Sequence, residues 1–170
     1  PPRSTLFPYT TLFRSVHVYY DLPIVIDCSS LNGPTGNQII NNIIIGNPDN
    51  RVNAITSNSA CMIKNNVIVG NLDVIDSNIE NNILYRGDYN GHDTSFARFN
   101  LCNSEQFSPN GENGNICNVD MNDVFVYSGS SDGSFQLKSY SPAIGAGLNG
   151  VDCGAFGGNK IGRASCRERV

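Results

Sequence analysis

A ten-residue segment occurs three times in this chain, and it narrows the possible folds more than any other feature. The copies are Gln38–Asn47 (QIINNIIIGN), Met62–Asn71 (MIKNNVIVGN) and Asn78–Gly87 (NIENNILYRG). They share the pattern I-x-N-N-x-[IL], and their Asn-Asn pairs begin at 41, 65 and 81. Each copy is too short to bury a core alone, but stacked copies can share one. Period-2 alternation rich in Ile and Val marks strands. Abundant Asn and Gly with sparse Ala and Leu disfavours helices.

Stacked in register, Ile39, Ile63 and Ile79 form one buried column, and Ile44, Ile68 and Leu84 form a second. Asn42, Asn66 and Asn82 fall between them. An amide carries both donor and acceptor, so each rung can bond the next. Asn also tolerates the left-handed conformation of a sharp corner, and Gly46 and Gly70 suit the following corner. The expectation is an all-β chain wound as a parallel solenoid. At roughly 20–24 residues per turn, 16–159 would make about six turns. Met121–Val126 reads as a degenerate fourth copy. An antiparallel sandwich is the competing architecture, but hairpin signals are missing between the copies.

Both ends read differently. Residues 1–15 follow, codon for codon, the translation of a short-read sequencing adapter, and 161–170 follow its reverse complement. The expected organisation is therefore foreign sequence at 1–15 and 160–170, with a solenoid fragment at 16–159. The ends hold six of the eleven basic residues and one of the fifteen acids. Residues 16–159 are left with five basic and fourteen acidic residues, a net charge of −9 against −4 for the whole chain. That balance argues against nucleic acid, which needs clustered Lys and Arg. No apolar run is long enough for membrane insertion. A neutral polar ligand or a cation fits better. The cysteines show no zinc spacing. A disulfide within 102–117 and small buried thiols are both open readings, and no cofactor is implied.

The Ile-x-Asn-Asn-x-Ile ladder resembles the right-handed parallel β-helix superfamily of pectate-lyase-like solenoids. The stretch FQLKSYSPAIGAG (135–147) followed by VDCGAFGG (151–158) resembles the closing segment of bacterial secreted β-helix proteins. The resemblance implies an extracellular or cell-surface protein. It also implies a C-terminal cap at about 135–158, with Ala143, Ile144, Ala155 and Phe156 over the last rung. At the other end, an uncapped face partly covered by 16–27 is expected, with poor behaviour in isolation.

Function is harder to read. Gly87–Asn118 interrupts the repeat, and long excursions from a rigid scaffold carry binding residues. Its Asp88, Tyr89, His92, Asp93 and Arg98, with Glu105, suit sugar binding. Phe96, Phe99 and Phe107 would pack it down. The related polygalacturonases need converging aspartates, including an Asp-Asp pair that is missing here. The related lyases need a basic residue beside calcium, and no lyase motif surrounds Arg86 or Arg98. Asn118–Asp123 resembles a calcium loop only faintly, lacking its glycine and distal glutamate. The expectation is a non-catalytic surface protein associated with polysaccharide. The alternative is a polysaccharide lyase or glycoside hydrolase whose catalytic rungs lie elsewhere.

Overall fold

The computed structural model describes residues 37–46, 53–92, 95–104, 107, 112–126 and 135–155. Eleven strands run through them: β1 (Asn37–Ile40), β2 (Ile43–Ile45), β3 (Asn53–Ser57), β4 (Cys61–Lys64), β5 (Val67–Val69), β6 (Asn71–Ile75), β7 (Asn78–Glu80), β8 (Ile83–Tyr85), β9 (Tyr89–His92), β10 (Phe96–Arg98) and β11 (Leu101–Cys102). They pair only in parallel, in three sheets. Sheet 1 is ordered β1-β4-β7-β10, sheet 2 is β2-β5-β8-β11, and sheet 3 is β3-β6-β9. Each rung visits the sheets in the order 1, 2, 3. The described residues form a parallel β-solenoid with three full rungs and most of a fourth. A fifth begins at Asn115–Cys117, where Ile116 bridges Leu101. No helix among the described residues is long and apolar enough to cross a membrane.

The register explains the repeat. Ile39, Ile63, Ile79 and Ala97 are aligned, as are Ile44, Ile68, Leu84 and Cys102. Most of these side chains are fully buried inside the coil. The two asparagines of each pair have separate duties. Asn41, Asn65 and Asn81 take positive φ and turn the corner, as Phe99 and Gly114 do in later rungs. Asn42, Asn66 and Asn82 build the ladder, which Asn100 and Asn115 extend. At each step the backbone N–H and Nδ2 of one asparagine both donate to Oδ1 of the next, at 2.9–3.3 Å. A second close approach occurs between sheets 2 and 3. A Cβ on Gly87 would lie 1.9 Å from the Gly70 carbonyl oxygen.

Sheet 2 is buried on both faces, which accounts for its uninterrupted apolar runs. Its outward residues Ile43, Val67, Val69, Ile83 and Leu101 form a second core outside the coil with Met121, Val124, Phe125, Phe135, Ala143 and Cys153.

Three expectations change. The ladder steps after the first are 15–18 residues, well below 20–24, and the first reaches 24 because of the insertion after Gly46. Gly87–Asn118 does not interrupt the solenoid: it supplies β9, β10, β11 and the start of rung 5. Its copies were hidden because Phe99 and Gly114 replace the first asparagine. Met121–Val124 is a short helix, α1, with Asp120 as its N-cap, and not a rung. The strap is the described segment 141–155. It runs along the flank over rungs 2–4, where Asn81 O accepts from Gly154 N–H and Asn81 Oδ1 accepts from Leu148 N–H. Gly154 packs on Val67 and Ile83, and Ile144 is exposed. Residues 1–36, Phe156 and 157–170 lie outside the described residues.

Candidate functional site

The outer face of sheet 1 carries two columns of side chains. Gln38, Met62, Asn78 and Phe96 share one register position; Ile40, Lys64, Glu80 and Arg98 share the next. The second column is the variable position of I-x-N-N. Stacking puts Glu80 between two cations. Lys64 Nζ pairs with Glu80 Oε1, and Arg98 reaches Oε2 through Nε at 2.8 Å and Nη2 at 2.7 Å. The Glu80 side chain is 5% exposed, while its partners are each 34% exposed. Burial pushes the Glu80 carboxyl up, but the hydrogen bonds and charges of Lys64 and Arg98 outweigh it, so it sits below the ordinary carboxylate range. The trio therefore carries net positive charge at neutral pH, on a body that is otherwise acidic.

Beside it lies a cleft of about 210 Å³ lined by Met62, Lys64, Asn78, Glu80, Arg98 and Leu148. Leu148 comes from the strap, whose turn is fixed by its N–H bond to Asn81 Oδ1 at 2.8 Å. Asn78 Oδ1 is buried without a hydrogen-bond partner among the described residues. Phe96 and Met62 are exposed, and the Arg98 guanidinium lies 5.8 Å from the Phe96 ring centroid. The surface thus combines apolar faces and two partly exposed cations.

The described residues among those singled out from the sequence are spread over two sheets and their turns. Asp88 is exposed at the turn before β9, with its N–H donating to Asn71 Oδ1 at 2.8 Å. Tyr89 turns inward. It aligns with Leu72 and Ile55, packs against the coil interior, and lies 4.8 Å from the Phe107 ring. Burial pushes its phenol up. Gly91 leaves room for that ring, because a Cβ there would meet the Tyr89 hydroxyl at 2.0 Å. His92 ends β9 in sheet 3, while Arg98 belongs to sheet 1. Asp93 and Glu105 lie outside the described residues. Met62, Lys64, Asn78, Glu80 and Leu148 were not singled out. The available signal was the lysine and glutamate at the variable position of adjacent copies.

Two other features are structural. Asp120 Oδ1 accepts from Asn122 N–H at 2.9 Å, so the calcium-like stretch is a helix cap. Among the described residues no group of three His, Cys, Asp or Glu side chains is placed to hold a metal ion. Cys102 and Cys117 form a disulfide between successive rungs. Cys61 and Cys153 are buried. Burial, then the charge of Asp152, pushes the Cys153 thiol up to about 12. No family model, curated protein or solved structure matches the chain.

Proposed function

We propose that this chain is the C-terminal part of an extracellular or cell-surface parallel β-helix protein of the pectate-lyase-like type, and that it binds neutral polysaccharide without cleaving it. The sheet 1 cleft carries the reading. The exposed Phe96 and Met62 lie beside the partly exposed donors of Lys64 and Arg98. Apolar faces with a few fixed polar groups are what a saccharide site requires. A carboxylate held ionised between two cations is a poor proton donor at neutral pH, which supports binding over hydrolysis. The Cys102–Cys117 disulfide supports an oxidising compartment. The adapter reading of both ends supports a fragment of a longer solenoid.

Affinity electrophoresis across gels holding different neutral glycans tests this. Retardation is expected in at least one gel, with Phe96→Ala and Arg98→Ala together reducing it about tenfold or more, the scale of losing one anchoring contact. Equal mobility of both proteins in every gel overturns the reading. Appearance of ultraviolet-absorbing unsaturated sugar ends would instead establish a lyase.

A further inference from the structure

Five of the six described residues lining the sheet 1 cleft belong to the sheet itself: Met62 and Lys64 to β4, Asn78 and Glu80 to β7, and Arg98 to β10. A sheet face alone is shallow, and a ligand site needs concavity. The sixth residue, Leu148, supplies it from the strap. The hydrogen bond that holds Leu148 there comes from a buried residue of the coil. Asn81 is 1% exposed and turns the corner between sheets 1 and 2 with φ 58°. Its four polar groups divide evenly. Its N–H donates to Arg98 O at 3.4 Å and its Nδ2 donates to Asn65 Oδ1 at 3.1 Å, both within the coil. Its two acceptors face the strap: Oδ1 takes Leu148 N–H and the carbonyl takes Gly154 N–H, each at 2.8 Å. Between those points the strap closes on itself, with Gly147 N–H donating to Val151 O and Gly150 N–H to Gly147 O. It therefore meets the coil as a formed turn. It also sits flush, since a Cβ on Gly147 would lie 3.1 Å from Asn81 Cγ and 2.8 Å from Val151 Cγ2. Asn65, at the same corner one rung earlier, has φ 54° and donates its N–H to Glu80 O in the next rung, but its Oδ1 accepts from Asn81.

We propose that Asn81 is the positioning residue of the cleft: it does not line the cleft, but clamps the strap at two points so that Leu148 forms the wall against which a bound saccharide packs. This rests on the glycan reading above, and two readouts separate the failures. Hydrogen exchange followed by NMR reports the Leu148 and Gly154 amides. Affinity electrophoresis, in a gel that retards the parent chain, reports binding. Asn81→Gly keeps the positive φ while deleting the side-chain acceptor. Gly147→Ala leaves the coil untouched and pushes the strap off Asn81. Both are expected to speed exchange at Leu148 and to weaken retardation, each about tenfold, the scale of one lost anchoring contact. Asn65→Gly removes the neighbouring corner amide but neither strap bond, and both readouts are expected to stay at the parent values. A Leu148 amide that stays protected in both strap variants overturns the clamp. So does undiminished retardation once that amide is exposed, or an equal loss of binding in Asn65→Gly. A parent chain retarded in no gel sinks the glycan reading, and the exchange rates then decide alone whether Asn81 holds the strap.

Discussion

Asn82 occupies a site where no other side chain fits the bonding. Its Oδ1 accepts from Asn66 N–H and Nδ2, while its Nδ2 donates to Ile63 O, Glu80 O and Asn100 Oδ1. Asn82→Ala strands several of these partners away from water, each at about 1–3 kcal/mol. The expected loss is about 3–5 kcal/mol in urea unfolding, against under about 1 kcal/mol for the exposed Asn90→Ala. Equal losses would remove the ladder from the account of stability. Glu80, two residues earlier, makes a different demand. Its folded carboxyl titrates below its unfolded value of about 4.3, so its contribution is fully present above that pH and fades as pH falls through the folded value. Glu80→Gln is expected to lose about 1–2 kcal/mol at pH 7 and to show less acid destabilisation below about pH 4. Parallel stability–pH curves for the two proteins would contradict the ion-pair assignment.

At the scale of the strand and corner, the contacts between rungs set the tolerances. Gly87 is pressed against the Gly70 carbonyl, and backbone cannot yield as a side-chain tip can. Gly87→Ala is expected to lose about 2–4 kcal/mol by forcing rungs 2 and 3 apart. Gly150→Ala, with positive φ but open space, is expected to lose about 1 kcal/mol. Reversed order in thermal melts would refute the close approach. The Cys102–Cys117 bridge joins rungs 4 and 5 across a separation of 15 residues. Reduction is expected to cost about 3 kcal/mol on the chain-entropy account, read as a lower midpoint in dithiothreitol. The same contacts explain what the sequence disclosed. Rungs 1–3 were legible because both corner asparagines are present, fixing strand phase along each copy. Rungs 4 and 5 were not, since any residue able to take positive φ can replace the first asparagine, as Phe99 and Gly114 do. The glutamate between two cations follows from register alone, but only once Lys64 and Glu80 are known to be one rung apart. Tyr89 misled because strand phase, which decides between core and surface, is invisible in a stretch read as a loop.

For the whole molecule, a stacked coil gains stability mainly from neighbouring rungs and has little to tie distant ones together. The chain after rung 5 supplies that tie. α1, Phe125, Phe135 and the strap cover the outward face of sheet 2, where Ile43, Val67, Val69, Ile83 and Leu101 come from four successive rungs. Each such side chain gains about 1.5–3 kcal/mol when fully buried. Five of them therefore rival the whole net stability of a domain, about 5–15 kcal/mol. Sheet 2 is thus a shared core, with the coil on one side and the returning chain on the other. This flank contact was not legible in the sequence, because Pro142 and the glycines at 145, 147 and 154 mark turns without saying which surface they turn over. A chain ending at Asn118 keeps every described strand and loses only this outer cover. If the cover were an accessory, that truncated chain would remain monomeric and unfold at nearly the same urea concentration. If sheet 2 is a shared core, it exposes a continuous apolar face four rungs long, binds hydrophobic dye, associates, and loses its cooperative transition. The second outcome is expected, and dye fluorescence with sedimentation of the two chains at equal concentration distinguishes them.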